Sequence, residues 1–173
     1  MKDTKLANLL KTLTPEEFIS FGKFIASPFF NSVKSYTKLI KELVKFYPEF
    51  ESDKLTYENL YKKLYPGKKF NKQVMWNQFS AMEKMARDFL EQIALRKNKF
   101  NRMELLISEF GSRKLLKDYS YILDKMEKLL ESNAIDHTYF ENKEHLENFK
   151  QVYYFLQHKH QSMSDSKLKA AEY

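Results

Sequence analysis

Apolar side chains recur at every third or fourth position along most of this 173-residue chain, and only three glycines interrupt the pattern. This spacing matches the 3.6-residue repeat of an α-helix, so the chain is predicted to be almost entirely helical. A chain with so little glycine has few places for phosphate-binding loops, strained nucleophile turns or left-handed backbone corners. The pattern therefore disfavours most kinds of enzyme active site.

The start of the second helix is the most specific local signal. Thr14, Pro15 and Glu17 match a capping box, in which the threonine caps the helix and the proline occupies the first helical position. Gly22 lies among the apolar positions of this helix. We expect it to permit the close approach of a neighbouring helix.

Two adjacent phenylalanines, Phe29 and Phe30, follow Pro28 in the connection to the third helix. Because proline removes a backbone donor and disfavours the helical region for the residue before it, the second helix is predicted to end here. We interpret the phenylalanines as anchors that pin the loop into the core, with an exposed aromatic recognition patch as the alternative. Asn31 or Ser32 is predicted to cap the third helix.

The longest helix is predicted from Lys72 to Lys97, after a cap at Asn71. Its apolar residues alternate spacings of four and three and form a heptad-like seam. They are Met75, Phe79, Met82, Ala86, Phe89 and Ile93. In a chain of many helices this seam indicates a central core helix, with a free-standing coiled coil as the alternative. Asp136 is predicted to cap a last long helix that ends near Lys159. Because the connections are short, we predict an all-α fold of about eight antiparallel helices, packed as an α-solenoid in a short right-handed array.

Positive charge is concentrated in the first half of the chain. Residues 1–98 carry 18 Lys and Arg against 11 Asp and Glu, whereas residues 99–173 carry 12 of each, for a net charge of +7. This predicts a basic N-terminal helical subdomain, 1–98, and a neutral helical-repeat-like subdomain, 99–173, with one continuous domain as the alternative. Most of the cations are lysines, which are also ordinary solvated surface residues, so the excess alone is weak evidence for nucleic-acid binding.

Cysteine is absent, so neither disulfides nor thiolate-bound zinc can brace the fold. The start of the chain has no apolar segment of signal-peptide length, and no window approaches the roughly 20 apolar residues that a membrane span needs. We therefore predict a soluble, cytoplasmic protein without membrane contact.

Candidate catalytic and metal-binding residues are few. His137, Glu141 and His145 are spaced four apart, as metal ligands on one helix face could be. Helical angles place them opposite the buried face, and no second helix supplies an obvious matching pair, so we predict solvated side chains. His158 and His160 diverge by roughly 200° on a helix and cannot share an ion. Since nucleophile and glycine-loop motifs are also lacking, we predict a non-enzyme with no catalytic, cofactor or metal site.

The segment from Val152 to Leu156 is apolar on every side of the last helix. Such a helix is buried all round or contacts a partner. We predict a protein-interaction or scaffold module that binds a protein partner or self-associates through Val152, Tyr154 and Phe155. Ser166 is predicted to cap a fresh helix. From the apolar segment and this additional helix we infer that the chain is the front part of a longer helical array, or that another subunit covers the apolar segment.

The alternative function is a nucleic-acid-binding regulator that uses the basic hairpin from Tyr57 to Trp76. Lysines could contact phosphates there while aromatic rings stack on bases. The lysines are Lys62, Lys63, Lys68, Lys69 and Lys72, and the aromatic residues among them are Tyr61, Tyr65, Phe70 and Trp76. The connector is longer than a DNA-reading turn and the segment has no arginine, so solvated lysines around a core-packed hairpin are the simpler interpretation.

The runs Leu9 to Phe18 and Phe24 to Asn31 resemble the opening of a family of uncharacterised helical proteins from Bacteroidetes-related bacteria. The later runs Leu55 to Glu58 and Leu64 to Gly67 are similar to the same group. The resemblance covers the first half of the chain. It implies a helical fold in a bacterial protein and carries no known activity.

The second half loosely resembles tetratricopeptide-like helix pairs. If Gly111 is matched to the first-helix glycine of that repeat, Leu123 and Leu130 stand where its small residues are expected. The helices are also longer than those of the repeat. The resemblance implies a divergent α-solenoid with an extended binding surface.

Overall fold

The computed structural model describes residues 4–31, 33–132 and 134–171, without the side chains of Lys34 and residues 159–171. Within these ranges there are eight α-helices and no β-strand, so the predicted all-α class and helix number are confirmed. The helices are α1 (Lys5–Lys11), α2 (Pro15–Ala26), α3 (Lys34–Leu43), α4 (Tyr57–Leu64), α5 (Lys72–Lys97), α6 (Lys99–Ser112), α7 (Leu116–Glu131) and α8 (His137–Ala171). A 3₁₀ turn, Val44–Phe46, follows α3. In the same described part of the chain, no helix is both long enough and apolar enough to span a membrane.

Contacts divide the chain into two compact units, Met1–Ile93 and Ala94–Tyr173. The boundary lies inside α5, and the boundary predicted from charge lies after residue 98. Each unit has its own hydrophobic core.

The core of the first unit collects apolar residues from α1 to α5. The seam predicted for α5 is buried, apart from Ile93, which is partly buried. The observed bounds of α5 equal the predicted ones, and Asn71 caps it through a 3.1 Å hydrogen bond from the Val74 amide. The capping box of α2 is likewise confirmed, with Thr14 and Glu17 bonded to each other's backbone amides at 3.2 and 3.0 Å.

The connection between α2 and α3 differs from its prediction. The Asn31 side-chain amide donates to the carbonyl oxygens of Ile25 and Val33, at 2.9 and 3.0 Å, instead of capping α3. The N-cap position is held by Val33, which makes no side-chain cap bond. The prediction that Asn31 caps α3 is therefore wrong, and Ser32 lies outside the described residues.

The two phenylalanines of this connection also differ from the main interpretation. Phe30 stacks on Phe24 of α2 with ring centroids 4.0 Å apart, but it remains 44% exposed. Phe29 packs edge-on against Phe30 and is 87% exposed. The interpretation that both rings pin the loop into the core is wrong for Phe29, because α2 ends before it and the loop turns it outward.

Close packing against a glycine occurs in the second unit instead of the first. A β-carbon built on Gly22 would meet no atom within 4 Å, so the prediction of a close helix approach there is wrong. A β-carbon on Gly111 of α6 would lie 3.1 Å from Cε2 of Tyr119 in α7 and 3.8 Å from Cδ1 of Leu156 in α8. Gly111 is thus the residue that lets these helices approach.

The second unit consists mainly of α6, α7 and α8, each of which contacts the other two. Asp136 caps α8 by accepting a 2.8 Å hydrogen bond from the Tyr139 amide, as predicted. The predicted end of α8 near Lys159 is wrong, because the helix continues without a break to Ala171. A fresh helix starting after Ser166 is therefore also wrong.

Candidate protein-interaction surface on helix α8

Helix α8 presents two different apolar faces between His137 and His158. The inward face packs against the core of the second unit through Tyr139, Leu146, Phe149, Tyr153 and Leu156. Outside this face lie Val152, Tyr154 and Phe155, which are 46%, 59% and 67% exposed. We call these three residues the α8 surface. These are the residues for which the sequence predicts partner binding.

Contacts with α7 fix the rotation of α8 about its axis. The Tyr119 hydroxyl donates to the Phe149 carbonyl oxygen at 3.0 Å, and the rings of Tyr119 and Tyr153 stack with centroids 5.7 Å apart. Burial raises the pKa of Tyr119 to about 12, so this phenol remains a donor into the alkaline range. Because Tyr153 is held inward, its neighbour Tyr154 points away from the core, about 100° further round the helix.

Charged contacts support the same orientation at the edges of α8. Lys150 Nζ lies 2.8 Å from Glu127 Oε1 of α7 and 3.0 Å from Glu147 Oε1 of α8. Hydrogen bonds to two carboxylates raise the pKa of Lys150, and the bond to Glu127 has a larger effect than the bond to Glu147. On the other edge, His145 Nδ1 lies 2.5 Å from Glu104 Oε1 of α6. These pairs flank the packed face and leave the α8 surface outside it.

The histidines considered as metal ligands are separated by these contacts. His137 pairs with Glu141 at 3.4 Å, whereas His145 pairs with Glu104. From a second helix, α6, the partner of His145 is the single carboxylate Glu104. Within the described part of the chain, no group of three His, Asp or Glu side chains is placed to hold a metal ion. His158 is exposed, and the side chain of His160 lies outside the described residues.

An open polar groove of about 470 Å³ lies beside the His145–Glu104 pair. It is lined by Asn98, Asn101, Thr138, Glu141, Asn142, Glu144 and His145. Asn98 is the N-cap of α6, and its side chain accepts a 3.0 Å hydrogen bond from the Asn101 backbone amide. The lining residues of this groove are mostly exposed, so it resembles a solvated cleft between helix starts more than an enclosed reaction site.

In the basic hairpin, the aromatic residues are mostly packed inside the first unit. Tyr61 is 5% exposed and contacts the rings of Tyr65 and Phe70, with centroids 4.9 and 5.5 Å away. The Gln78 amide donates to the Tyr65 hydroxyl at 2.9 Å. Tyr61, Tyr65 and Phe70 are therefore not free to stack on bases.

Trp76 is the exception in this hairpin, since it is 46% exposed with Lys72 Nζ 4.7 Å from its ring centroid. Lys62 and Lys69 are exposed, as is Lys68, whose Nζ lies 6.0 Å from the Tyr65 ring centroid. Lys63 is engaged by Glu42 of α3 at 2.8 Å. All five predicted lysines are thus exposed, and two of them, Lys68 and Lys72, lie over aromatic rings.

Comparison of the chain with protein-family models, curated proteins and solved structures identified no significant similarity. The functional interpretation therefore depends on the contacts and exposure of individual residues. Sequence reasoning missed Glu104 as the partner of His145. Helical spacing indicated the face on which His145 lies, but the register between α6 and α8 is a long-range property that spacing within one helix does not contain.

Proposed function

We propose that this protein is a non-catalytic protein-interaction or scaffold module of the bacterial cytoplasm, and that the α8 surface contacts a protein partner or a second copy of the chain. The observation that carries the proposal is the exposure of Val152, Tyr154 and Phe155 on a helix whose opposite side is firmly packed. Their position on a rigid helix means that little ordering entropy is lost when a partner binds.

The chemistry of these side chains suits a protein interface. Tyrosine is enriched among interface hot spots, and phenylalanine is enriched in interface cores. Burying a large apolar side chain contributes about 1.5–3 kcal/mol, so Tyr154 and Phe155, the two most exposed of the three, supply a useful anchor. Gln151 and His158, which are also exposed on α8, provide polar groups beside this anchor.

We further propose that the second unit is arranged like tetratricopeptide repeats, as part of an antiparallel α-solenoid. Two contacts support this. Glu104 meets His145 near the start of α6 and α8, whereas Gly111 lies near Leu156 further along both helices. If α6 and α8 are parallel, residues later in α6 contact residues later in α8. The first helices of successive repeats are parallel in this way.

A double variant tests the proposed surface. Tyr154→Ala/Phe155→Ala should keep the helical circular dichroism signal and lose most of any self-association measured by light scattering, or of partner capture from the native lysate. Tyr121→Ala is a matched control, since Tyr121 in α7 is 56% exposed, close to the 59% of Tyr154. If the double variant unfolds, the residues belong to the core and the proposal fails. Equal losses in both variants would also contradict it.

The second candidate is nucleic-acid binding by the basic hairpin. It is supported by Trp76, whose exposed ring lies beside the Lys72 ammonium and could stack on a base. Its signature is an affinity for DNA or RNA that falls steeply with salt and is lost in Trp76→Ala. Binding that Trp76→Ala leaves unchanged would eliminate the hairpin as the stacking site.

A further inference from the structure

A row of lysines lies on the outer side of α3. Lys38 and Lys41 are exposed on α3, and Lys45 is exposed in the 3₁₀ turn that follows it. The spacing of three and four residues places Lys38 and Lys41 on one side of the helix. The opposite side of α3 carries Leu39, Ile40 and Leu43, which are buried in the core of the first unit.

A fourth lysine joins the row from the neighbouring helix. Glu42 accepts hydrogen bonds from Lys45 at 2.7 Å and from Lys63 of α4 at 2.8 Å. These bonds lower the pKa of Glu42, so its carboxylate stays ionised and holds both ammonium groups. We call Lys38, Lys41, Lys45 and Lys63 the α3 lysine row. These four cations and Glu42, which pairs with two of them, carry a net charge of 4 − 1 = +3.

We propose that the α3 lysine row binds the phosphate backbone of nucleic acid without reading its base sequence. Lysine ammonium groups bind phosphate oxygens as point charges, and such contacts supply affinity without base specificity. A row along a helix and its following turn spans about 10 Å from Lys38 to Lys45 at 1.5 Å per residue. This length allows contact with successive phosphates of a strand.

The surroundings of the row favour nucleic acid over a membrane surface. A membrane-bound amphipathic helix inserts its apolar face among the lipids. In α3 that face is already buried in the protein core, so only the lysine side is free to meet a partner.

A protein partner is also less suited to this surface. Lysine is depleted in protein–protein interfaces, whose cores are rich in aromatic residues. The aromatic residue within α3, Tyr36, is partly buried against the core and lies away from the lysine side. Without an aromatic anchor, the row offers charge alone, which is what sequence-independent phosphate binding requires.

Two charge-matched variants of the full chain test the proposal. Lys38→Glu/Lys41→Glu alters the row, and Lys68→Glu/Lys69→Glu makes the same charge change in the hairpin connector. Binding of fluorescent single-stranded and double-stranded DNA oligonucleotides is measured by anisotropy from low to physiological salt. We expect the row variant to lose at least about tenfold in affinity, and the slope of its salt dependence on duplex to fall by about two, since each phosphate contact contributes about 0.9. We expect the hairpin variant to retain most of the affinity.

Several outcomes would overturn the proposal. They are undetectable DNA binding by the unaltered protein at low salt, equal losses in the two variants, and tighter binding to polyglutamate or anionic vesicles than to DNA. Lys38→Gln/Lys41→Gln provides a milder variant if the charge reversal perturbs folding, and it should also weaken binding. The result is independent of the α8 surface, because Tyr154→Ala/Phe155→Ala should bind DNA as the unaltered protein does.

Discussion

The Tyr119 hydroxyl donates a hydrogen bond to the Phe149 carbonyl oxygen across 3.0 Å, which ties α7 to α8 behind the α8 surface. Tyr119 is 1% exposed, and its burial raises the pKa of the phenol to about 12. We therefore expect Tyr119 to stabilise the second unit at neutral pH and to make its stability depend on pH in the alkaline range.

Tyr119→Phe is expected to lower the free energy of unfolding by about 1 kcal/mol at neutral pH, because it removes one hydrogen bond and little apolar contact. Chemical denaturation monitored by circular dichroism measures the change. A difference indistinguishable from zero would show that the hydrogen bond contributes nothing to stability.

The alkaline response of Tyr119 follows from the direction of its pKa shift. The pKa is about 12 when folded and about 10 when unfolded, so the unfolded chain releases the proton first as pH rises. The stabilisation from this group is complete below pH 10 and is lost as pH rises from about 10 towards about 12. Tyr119→Phe lacks this component, so its stability should fall less over that range than that of the unaltered protein. Parallel curves for the two proteins would refute the assignment.

Glycine-to-alanine changes should have opposite effects in the two units. Gly22→Ala is expected to stabilise the protein by about 0.5–1 kcal/mol, because alanine is the better helix former and a β-carbon would meet no neighbour within 4 Å. Gly111→Ala should destabilise by about 1 kcal/mol, since crowding of the buried Tyr119 ring outweighs the helical gain. Urea unfolding of both variants checks the pair. Stabilisation by Gly111→Ala would show that α6 and α7 have room to separate.

The end of α6 offers a stabilising substitution. Lys114 has a φ of 59°, and a Schellman motif closes around it through hydrogen bonds from Leu115 to Phe110 at 2.9 Å and from Lys114 to Gly111 at 3.1 Å. Lys114→Gly should raise the free energy of unfolding by about 1 kcal/mol, since the left-handed conformation costs a residue with a β-carbon about 1–2 kcal/mol. Arg113→Gly is the control, because Arg113 has a φ of −88°. A larger gain from the control would contradict the argument.

The two faces of α8 should differ in their effect on stability. Tyr153→Ala/Leu156→Ala removes side chains that pack against the core and should cost about 2–4 kcal/mol. Tyr154→Ala/Phe155→Ala, on the exposed face, should change stability by less than about 1 kcal/mol. Urea unfolding midpoints compare the two double variants. Equal destabilisation would mean that the outward residues are covered within the protein.

Local features of the fold could be predicted because the residues that determine them are close in sequence. The Thr14–Glu17 box, the Asn71 and Asp136 caps and the bounds of α5 depend on side chains within a few positions of each helix start. The apolar seam of α5 followed in the same way from helical spacing.

Features that depend on packing between distant segments could not be predicted in this way. The helix spacing that placed Gly22 on an apolar face does not show how closely a neighbour approaches, and in the folded chain Gly111 has that role. Phe29 is apolar, but the direction of its loop is set by the hydrogen bonds of Asn31. The predicted end of α8 is wrong because it was based on apolar residues, which become sparse after Leu156, whereas neither glycine nor proline follows to stop the helix.

Site-specific photo-crosslinking tests the α8 surface most directly. A photoreactive phenylalanine analogue replaces Tyr154 in one variant and Tyr121 in another, positions of similar exposure in the second unit. On irradiation in the native cells, position 154 should give a discrete crosslinked adduct with one protein or with a second copy, while position 121 should give little. Equal yields at the two positions, or no adduct at position 154, would contradict the proposal that α8 presents an interaction surface.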